Sequence, residues 1–118
     1  MMQKLFSIFE DMGYGDLYFR QGSLSNEDDY PASFFTYWNI NSPQMSFYDN
    51  KARRYVELIQ VCFYANNSDV VYSEMDKFVE NAIAAGFVPQ GMPHDTPSGK
   101  SSHSGRLIVI QNINNIGG

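Results

Sequence analysis

The chain has 118 residues, a formal net charge of −5, 15% aromatic residues and 18% charged residues. This length is typical of one domain, and so many aromatic residues exclude an intrinsically disordered chain. With only eight lysines and arginines, we expect no sequence-specific nucleic-acid binding and no membrane partner. The near balance of aromatic and charged residues is a weak signal for assembly with other subunits.

The N-terminal third predicts a helix, a short strand and an acidic loop. Residues 2–12 carry apolar side chains at helical spacing, and Gly13 follows as the expected stop. Residues 16–21 are strand-like, and residues 23–31 form a polar loop that Pro31 closes. Polar residues interrupt the first apolar segment and acidic residues follow it, so we expect no signal peptide.

Two strands are predicted in the middle of the chain. Residues 32–40 are aromatic, with Phe34, Thr36, Trp38 and Ile40 on one face and Phe35 and Tyr37 on the other. Residues 53–64 are apolar on both faces, which is typical of a central strand covered on two sides. Since two helices can cover only one face of a small sheet, the second face is expected to contact another subunit.

The C-terminal half predicts a second helix and one more strand. Asn67 and Asp69 provide a helix start, an apolar stripe follows, and Gly86 provides the stop. Residues 89–105 are rich in proline, glycine and serine, and predict a long mobile loop. Residues 106–111 predict the last strand, and residues 112–118 a frayed polar end.

This order of elements predicts a single α+β domain over residues 1–118. The expected architecture is an antiparallel sheet of about four strands with two α-helices packed on one face. Mobile loops are expected near residues 23–31 and 89–105.

Motifs for bound phosphate or metal are incomplete. The segment Gly99-Lys100-Ser101 resembles the end of a phosphate-binding loop, but the first glycine of that pattern would fall at His94. His94, Asp95 and His103 share one loop, but their spacing matches no zinc pattern. We therefore expect no cofactor and no metal site.

Catalytic constellations are also incomplete, so the sequence predicts no enzyme. Cys62 lies inside an apolar strand, where a buried structural thiol is expected. The carboxylates of Glu27-Asp28-Asp29 are adjacent, as on a solvated surface, and lack the spacing of a calcium loop. The aromatic residues 34–38 lack the neighbouring basic groove of a base-stacking platform, which favours packing in a core or an interface.

Several segments resemble small tail proteins of long-tailed phages. These are the long strand over residues 52–65, the following Asn66-Asn67-Ser68, the helix end at residues 85–87, and the segment Tyr30-Pro31-Ala32-Ser33-Phe34-Phe35-Thr36-Tyr37. Together they are similar to the tail terminator, or tail completion, proteins and to related minor capsid proteins of prophages in Gram-positive bacteria. The resemblance covers residues 5–111 and rests on element order and length.

The resemblance implies a non-enzymatic structural protein. Such proteins form a hexameric ring at the head-proximal end of the tail tube, stop its polymerisation and join the head. The implied partners are further copies of the chain, the tail-tube protein and a head-completion protein, with DNA passing through the ring. The implied location is the bacterial cytoplasm during assembly and then the head–tail junction of the virion.

Candidate contact residues follow from the two loops, the aromatic strand and the one arginine pair. They are Glu27, Asp28, Asp29, Phe35, Tyr37, Arg53, Arg54, His94, Lys100 and His103. Two other functions stay open from the sequence. One is a head–tail connector, or head-closure, component, and the other is a small ligand-binding domain that uses the aromatic strand as a pocket.

Overall fold

The computed structural model describes residues 2–21, 23, 30–40, 54–98 and 100–115. Two helices and six strands alternate along these residues. They are α1 (Met2–Asp11), β1 (Tyr18–Arg20), β2 (Ser33–Asn39), β3 (Arg54–Ala65), α2 (Ser68–Ala84), β4 (Val88–Pro89), β5 (His94–Thr96) and β6 (Ser104–Asn115). The α+β class and the two helices are confirmed.

Both helices start or stop at the predicted signals. The side chain of Asn67 accepts a hydrogen bond from the backbone N–H of Asp69 at 2.9 Å and so caps the start of α2. Gly13 and Gly86 follow the helix ends with φ of 91° and 99°, a left-handed conformation that favours glycine. The next residue in each case donates its N–H back to the last helical turn, as from Phe87 to Ala82.

The strand order in the sheet is β1-β2-β3-β6-β4, and β5 also pairs with β6. The expected four-stranded antiparallel sheet is therefore only roughly right, because β1 and β2 run parallel. The physical reason is the length of the connection, since residues 21–32 separate β1 from β2. A tight turn would give an antiparallel pair, whereas a parallel pair needs a long connection.

The β3–β6 pair is the centre of the sheet. Its register runs from Arg54 opposite Asn115 to Ala65 opposite Ser104. The prediction of a frayed end was wrong for residues 112–115, because β3 provides hydrogen-bond partners there; residues 116–118 lie outside the described residues. The low strand propensity of asparagine is outweighed by this pairing.

The predicted loop at residues 89–105 contains two short strands. β4 begins at Val88 and pairs with Gln111 and Ile110, and β5 pairs with residues 105–107, so both lie along the outer edge of β6. The sequence did not indicate β5, since prolines flank it and its residues are polar. The other predicted loop, residues 23–31, is described only at Ser23, Tyr30 and Pro31.

The hydrophobic core lies between the sheet and both helices, which confirms their predicted position on one face. Phe35 of β2 is fully buried there, with its ring 4.6 Å from Phe9 of α1 and 5.4 Å from Phe78 of α2. Phe63, Ile59 and Ile110 of the central strands are also fully buried in this core. We call this side of the sheet the covered face.

Candidate interaction surface

The second side of the sheet, which we call the open face, carries no helix in the described part of the chain. Side chains alternate along a strand and paired residues share a face, so the strand registers define its members. The members whose side chains are described are Phe19, Phe34, Thr36, Trp38, Leu58, Gln60, Cys62, Tyr64, Val88, His94, Thr96, Gly105, Leu107, Val109 and Gln111. None of these is an aspartate, glutamate, lysine or arginine, but Arg54 shares this face by register.

Exposure changes from one end of the open face to the other. Trp38 is 38% exposed and Val88 is 45% exposed, and Leu58, Leu107 and Val109 are partly exposed. At the opposite end Phe34 and Cys62 are buried. Cys62 is buried, as predicted for this strand position, and its burial raises the pKa of the thiol, which disfavours a reactive thiolate.

The buried end is covered by a cluster of side chains from two loops and β3, which we call the aromatic clasp. It consists of Tyr30, Lys100 and His103 from the loops and Tyr64 from β3, and it surrounds Phe34. The rings of Tyr30 and Tyr64 lie 5.4 Å and 5.3 Å from that of Phe34, and the His103 ring lies 5.4 Å from Tyr30. The Lys100 ammonium group lies 5.0 Å from the centre of the Tyr30 ring, in a cation–π contact.

Hydrogen bonds hold the clasp closed. The Nε2 atom of His103 lies 2.8 Å from the carbonyl oxygen of Pro31, so it must carry the proton and donate. The hydroxyl of Ser98 donates to the His103 carbonyl oxygen at 2.8 Å, and Ser98 also contacts the Lys100 carbonyl oxygen. These hydrogen bonds thus join the ends of the two predicted loops, near residues 23–31 and 89–105, which no sequence pattern connects.

A second polar cluster lies at the outer edge of β6. One terminal nitrogen of Arg106 donates to Asp95 at 2.8 Å and the other donates to the Pro93 carbonyl oxygen at 2.8 Å, while the guanidinium lies over the Tyr72 ring. The Asp95 side chain is 70% exposed, so this ion pair adds little stability. It does fix β5 against α2.

The predicted contact residues that the structure describes lie in four different environments. Lys100 and His103 meet in the aromatic clasp, and His94 is exposed on β5, opposite Leu107. Phe35 is fully buried against the helices and offers no surface to a neighbour, because the odd-numbered residues of β2 point to the covered face. Tyr37 is half-buried beside Phe6, with a ring distance of 5.2 Å.

The remaining contact predictions lie outside what the structure describes. Glu27, Asp28, Asp29 and Arg53 are not among the described residues, and of Arg54 only the backbone, at the start of β3, is described. Their predicted roles stay predictions.

The sequence analysis did not single out Trp38, Val88, Leu107 and Val109, which are exposed or partly exposed on the open face. Alternation separates Trp38 from Phe35, but it does not say which of the two faces the helices cover. The sequence signal that could have distinguished the two faces was the distribution of charged residues. The two helices carry six of the thirteen acidic residues, and five of these six are exposed to solvent.

A cavity of about 280 Å³ lies between α2 and the clasp. Tyr72, Asp95, Ser98 and His103 are among its lining residues. This volume is at the lower limit of small-molecule sites, and the polar groups of Ser98 and His103 already bind backbone carbonyl oxygens. The alternative of a small ligand-binding domain concerns the aromatic strand instead, where a cavity of about 410 Å³ is lined by Phe6, Arg20, Tyr37, Trp38 and Asn39.

The described residues contain no group of three or more histidine, cysteine, aspartate and glutamate side chains placed to hold a metal ion. Within the same residues, no helix is long and apolar enough to span a membrane. No known protein-family model matches the sequence, and no curated protein matches it significantly.

Proposed function

We propose that this chain is a structural assembly protein of the tail-terminator type. In this proposal it forms a ring at the head-proximal end of a phage tail tube, stops tube polymerisation and joins the head. The observation that carries the proposal is the open face, where one end of an otherwise well-packed sheet exposes apolar, uncharged side chains.

The contrast with the covered face supports an interface role. Large apolar side chains on the covered face are fully buried, whereas Trp38 and Val88 keep 38% and 45% of their surface exposed. Contiguous exposed apolar surface on a sheet marks an interaction site, since burying it contributes about 25 cal/mol per Å². A neighbouring subunit or the end of the tube would supply that burial.

The distribution of charge is compatible with DNA passing through a ring. Glu10, Asp11, Asp69, Asp76 and Glu80 are exposed on the two helices. Acidic surfaces repel the phosphate backbone, so DNA would pass the helix layer without binding to it. As proposed, the chain has no catalytic role, and in the described residues His103 and Cys62 have structural environments.

The proposed partners are further copies of the chain, the tail-tube protein and a head-completion protein. The proposed location is the bacterial cytoplasm during assembly and then the head–tail junction. A connector that binds the head side alone would not bind tail tubes, and the experiment below separates the two functions on that point.

The test mixes the purified chain with tail tubes assembled from the major tail-tube protein of the same phage or prophage. Electron microscopy and native mass spectrometry are expected to show a ring of several copies at one tube end, and tubes that no longer lengthen. A Val88→Glu, Val109→Glu double variant should lose binding, because it places two charges on the open face.

The matched control is Ile83→Glu, since Ile83 is 55% exposed on α2 and lies on the other side of the molecule. This variant should still bind the tubes. Absence of binding by the wild-type chain would contradict the proposal, and equal binding by all three proteins would show that the open face is not the interface.

A further inference from the structure

We propose that a cavity at the edge of the sheet binds a small carboxylate that carries a flat ring. The cavity, which we call the aromatic notch, has a volume of about 410 Å³ and is lined by Phe6, Arg20, Tyr37, Trp38 and Asn39. This volume lies within the range of small-molecule sites, which combine apolar walls with a few polar groups. The proposal goes beyond the proposed function and does not rest on it.

The notch forms because β1 is shorter than β2. Within the described residues, the register of β1 on β2 ends at Tyr37, and the N–H of Gln21 donates to the Tyr37 carbonyl oxygen at 2.9 Å. β2 continues past this point to Asn39, with β3 as its partner. Trp38 and Asn39 therefore lie at a step in the described sheet edge, and this step opens the cavity.

Packed aromatic rings hold the apolar wall of the notch in place. The Phe6 ring stacks on the Tyr18 ring at 4.9 Å and meets the Tyr37 ring edge-on at 5.2 Å. Phe6 and Tyr37 are only partly buried, so each keeps surface that a ligand can contact. A flat ring suits this wall, because stacked and edge-to-face ring contacts are favourable beyond the area that they bury.

The charge of Arg20 selects a carboxylate as the polar part of the ligand. Arg20 is exposed, and its guanidinium lies over the Trp38 ring, 5.3 Å from the ring centre. Among the described residues, no carboxylate lies within ion-pair distance of this guanidinium. A guanidinium stacked on an indole keeps its N–H groups at its edge, where a carboxylate can accept two parallel hydrogen bonds.

The same arrangement disfavours two other classes of ligand. A cationic ring would be repelled by Arg20, although aromatic walls alone would attract it. A phosphate group is typically held by several basic side chains or backbone N–H groups, whereas Arg20 is the one basic residue that lines the notch. The side-chain amide of Asn39 already donates to Glu57 at 3.2 Å, so Arg20 is the main donor for the ligand.

The test uses Trp38 as the reporter, because the chain has one tryptophan and its fluorescence therefore reports on the notch. The probe is phenylacetate. It should change the fluorescence in a saturable way at roughly millimolar concentration, since a ligand of about ten non-hydrogen atoms binds weakly. The indole N–H resonance of Trp38 should shift over the same concentration range. Phenylacetamide has nearly the same shape without the charge, and should bind at least about fivefold more weakly.

Two substitutions of Arg20 separate charge from geometry. Arg20→Gln should weaken phenylacetate binding about tenfold, and Arg20→Lys, which keeps the charge but loses the planar fork, should weaken it less. The matched control is Lys100→Gln. This variant removes one positive charge from the aromatic clasp, at the other end of the open face, and should bind phenylacetate like the wild-type chain.

Three results would each overturn the proposal. They are the absence of a saturable change in the wild-type chain, equal affinities for phenylacetate and phenylacetamide, and wild-type affinity in Arg20→Gln. The first two use the wild-type chain alone, so the test stands even where Arg20→Gln fails to fold. No tail tube is present in these measurements, so failure here and failure of the proposed function are distinguishable.

Discussion

The two faces of the sheet are built from the same kinds of residue and yet differ in what covers them. Phe34 and Phe35 are neighbours in sequence, and both are almost completely buried. Phe35 packs against two helices, whereas Phe34 is buried beneath the aromatic clasp, which comes from loops and one strand. Burial alone therefore does not distinguish a position packed under helices from one packed under loop side chains; the identity of the covering elements does.

The largest expected effect comes from comparing Phe35→Ala with Phe34→Ala. Phe35→Ala should lower the free energy of unfolding by about 3–5 kcal/mol, because helices and sheet cannot close the cavity. Phe34→Ala should cost clearly less, since Tyr30 and His103 can move into the space. Urea denaturation of both variants measures the difference. Equal losses would show that the clasp is as rigid as the core.

An intermediate effect is expected at Gly105, where the open face is most tightly packed. A Cβ atom there would lie 2.6 Å from the Tyr64 ring and 3.0 Å from the Thr96 carbonyl oxygen. Gly105→Ala should therefore displace Tyr64 and cost about 1–3 kcal/mol by thermal or urea denaturation. Gly15→Ala is a suitable control, because its nearest contact would be an ordinary 3.7 Å. A neutral Gly105→Ala would indicate that the clasp opens readily.

The smallest expected effect concerns a polar contact on the covered side. The hydroxyl of Tyr14 donates to Glu74 at 2.8 Å, and burial, followed by this carboxylate, raises the pKa of Tyr14 to about 12. The folded chain thus keeps the phenol proton at pH values where the unfolded chain, with a pKa near 10, loses it. The stabilisation of the folded chain by this contact is therefore intact below pH 10 and is lost as the pH rises through about 12.

Tyr14→Phe should cost about 1 kcal/mol at neutral pH and should make the stability fall less steeply between pH 10 and 12. Urea denaturation across that pH range is the measurement. The stability of the Tyr14→Phe variant will still fall somewhat over this pH range, because burial also raises the pKa of Tyr64. An unchanged slope would contradict the role assigned to Tyr14.

Local signals in the sequence predicted the helices and the central strand well. Glycine at positions 13 and 86 and the capping Asn67 act within one helical turn, so their effect is readable without the rest of the fold. Strand β5 and the end of β6 were missed, because their residues have weak strand propensity and become strands through pairing with distant segments.

For the candidate surface, the sequence provided the excess of aromatic residues but not which side of β2 the helices leave uncovered. Phe35 was a predicted contact and is fully buried, whereas its neighbour Trp38 is exposed. Alternation is symmetrical between the two faces, so it cannot say on which side the helices pack. His103 and Lys100 were predicted as contacts, but their partner Tyr30 lies about seventy residues away in the chain.

The sequence by itself determined where helices begin and end, that the central strand is apolar on both sides, and that charge is scarce and acidic. Each of these depends on residues close together in the chain. Only the tertiary structure decided that β1 runs parallel to β2, that the helices cover the Phe35 side, and that two loops close over Phe34. Those outcomes depend on which distant segments pair and pack, because the free energy of burial is shared among elements that no local pattern connects.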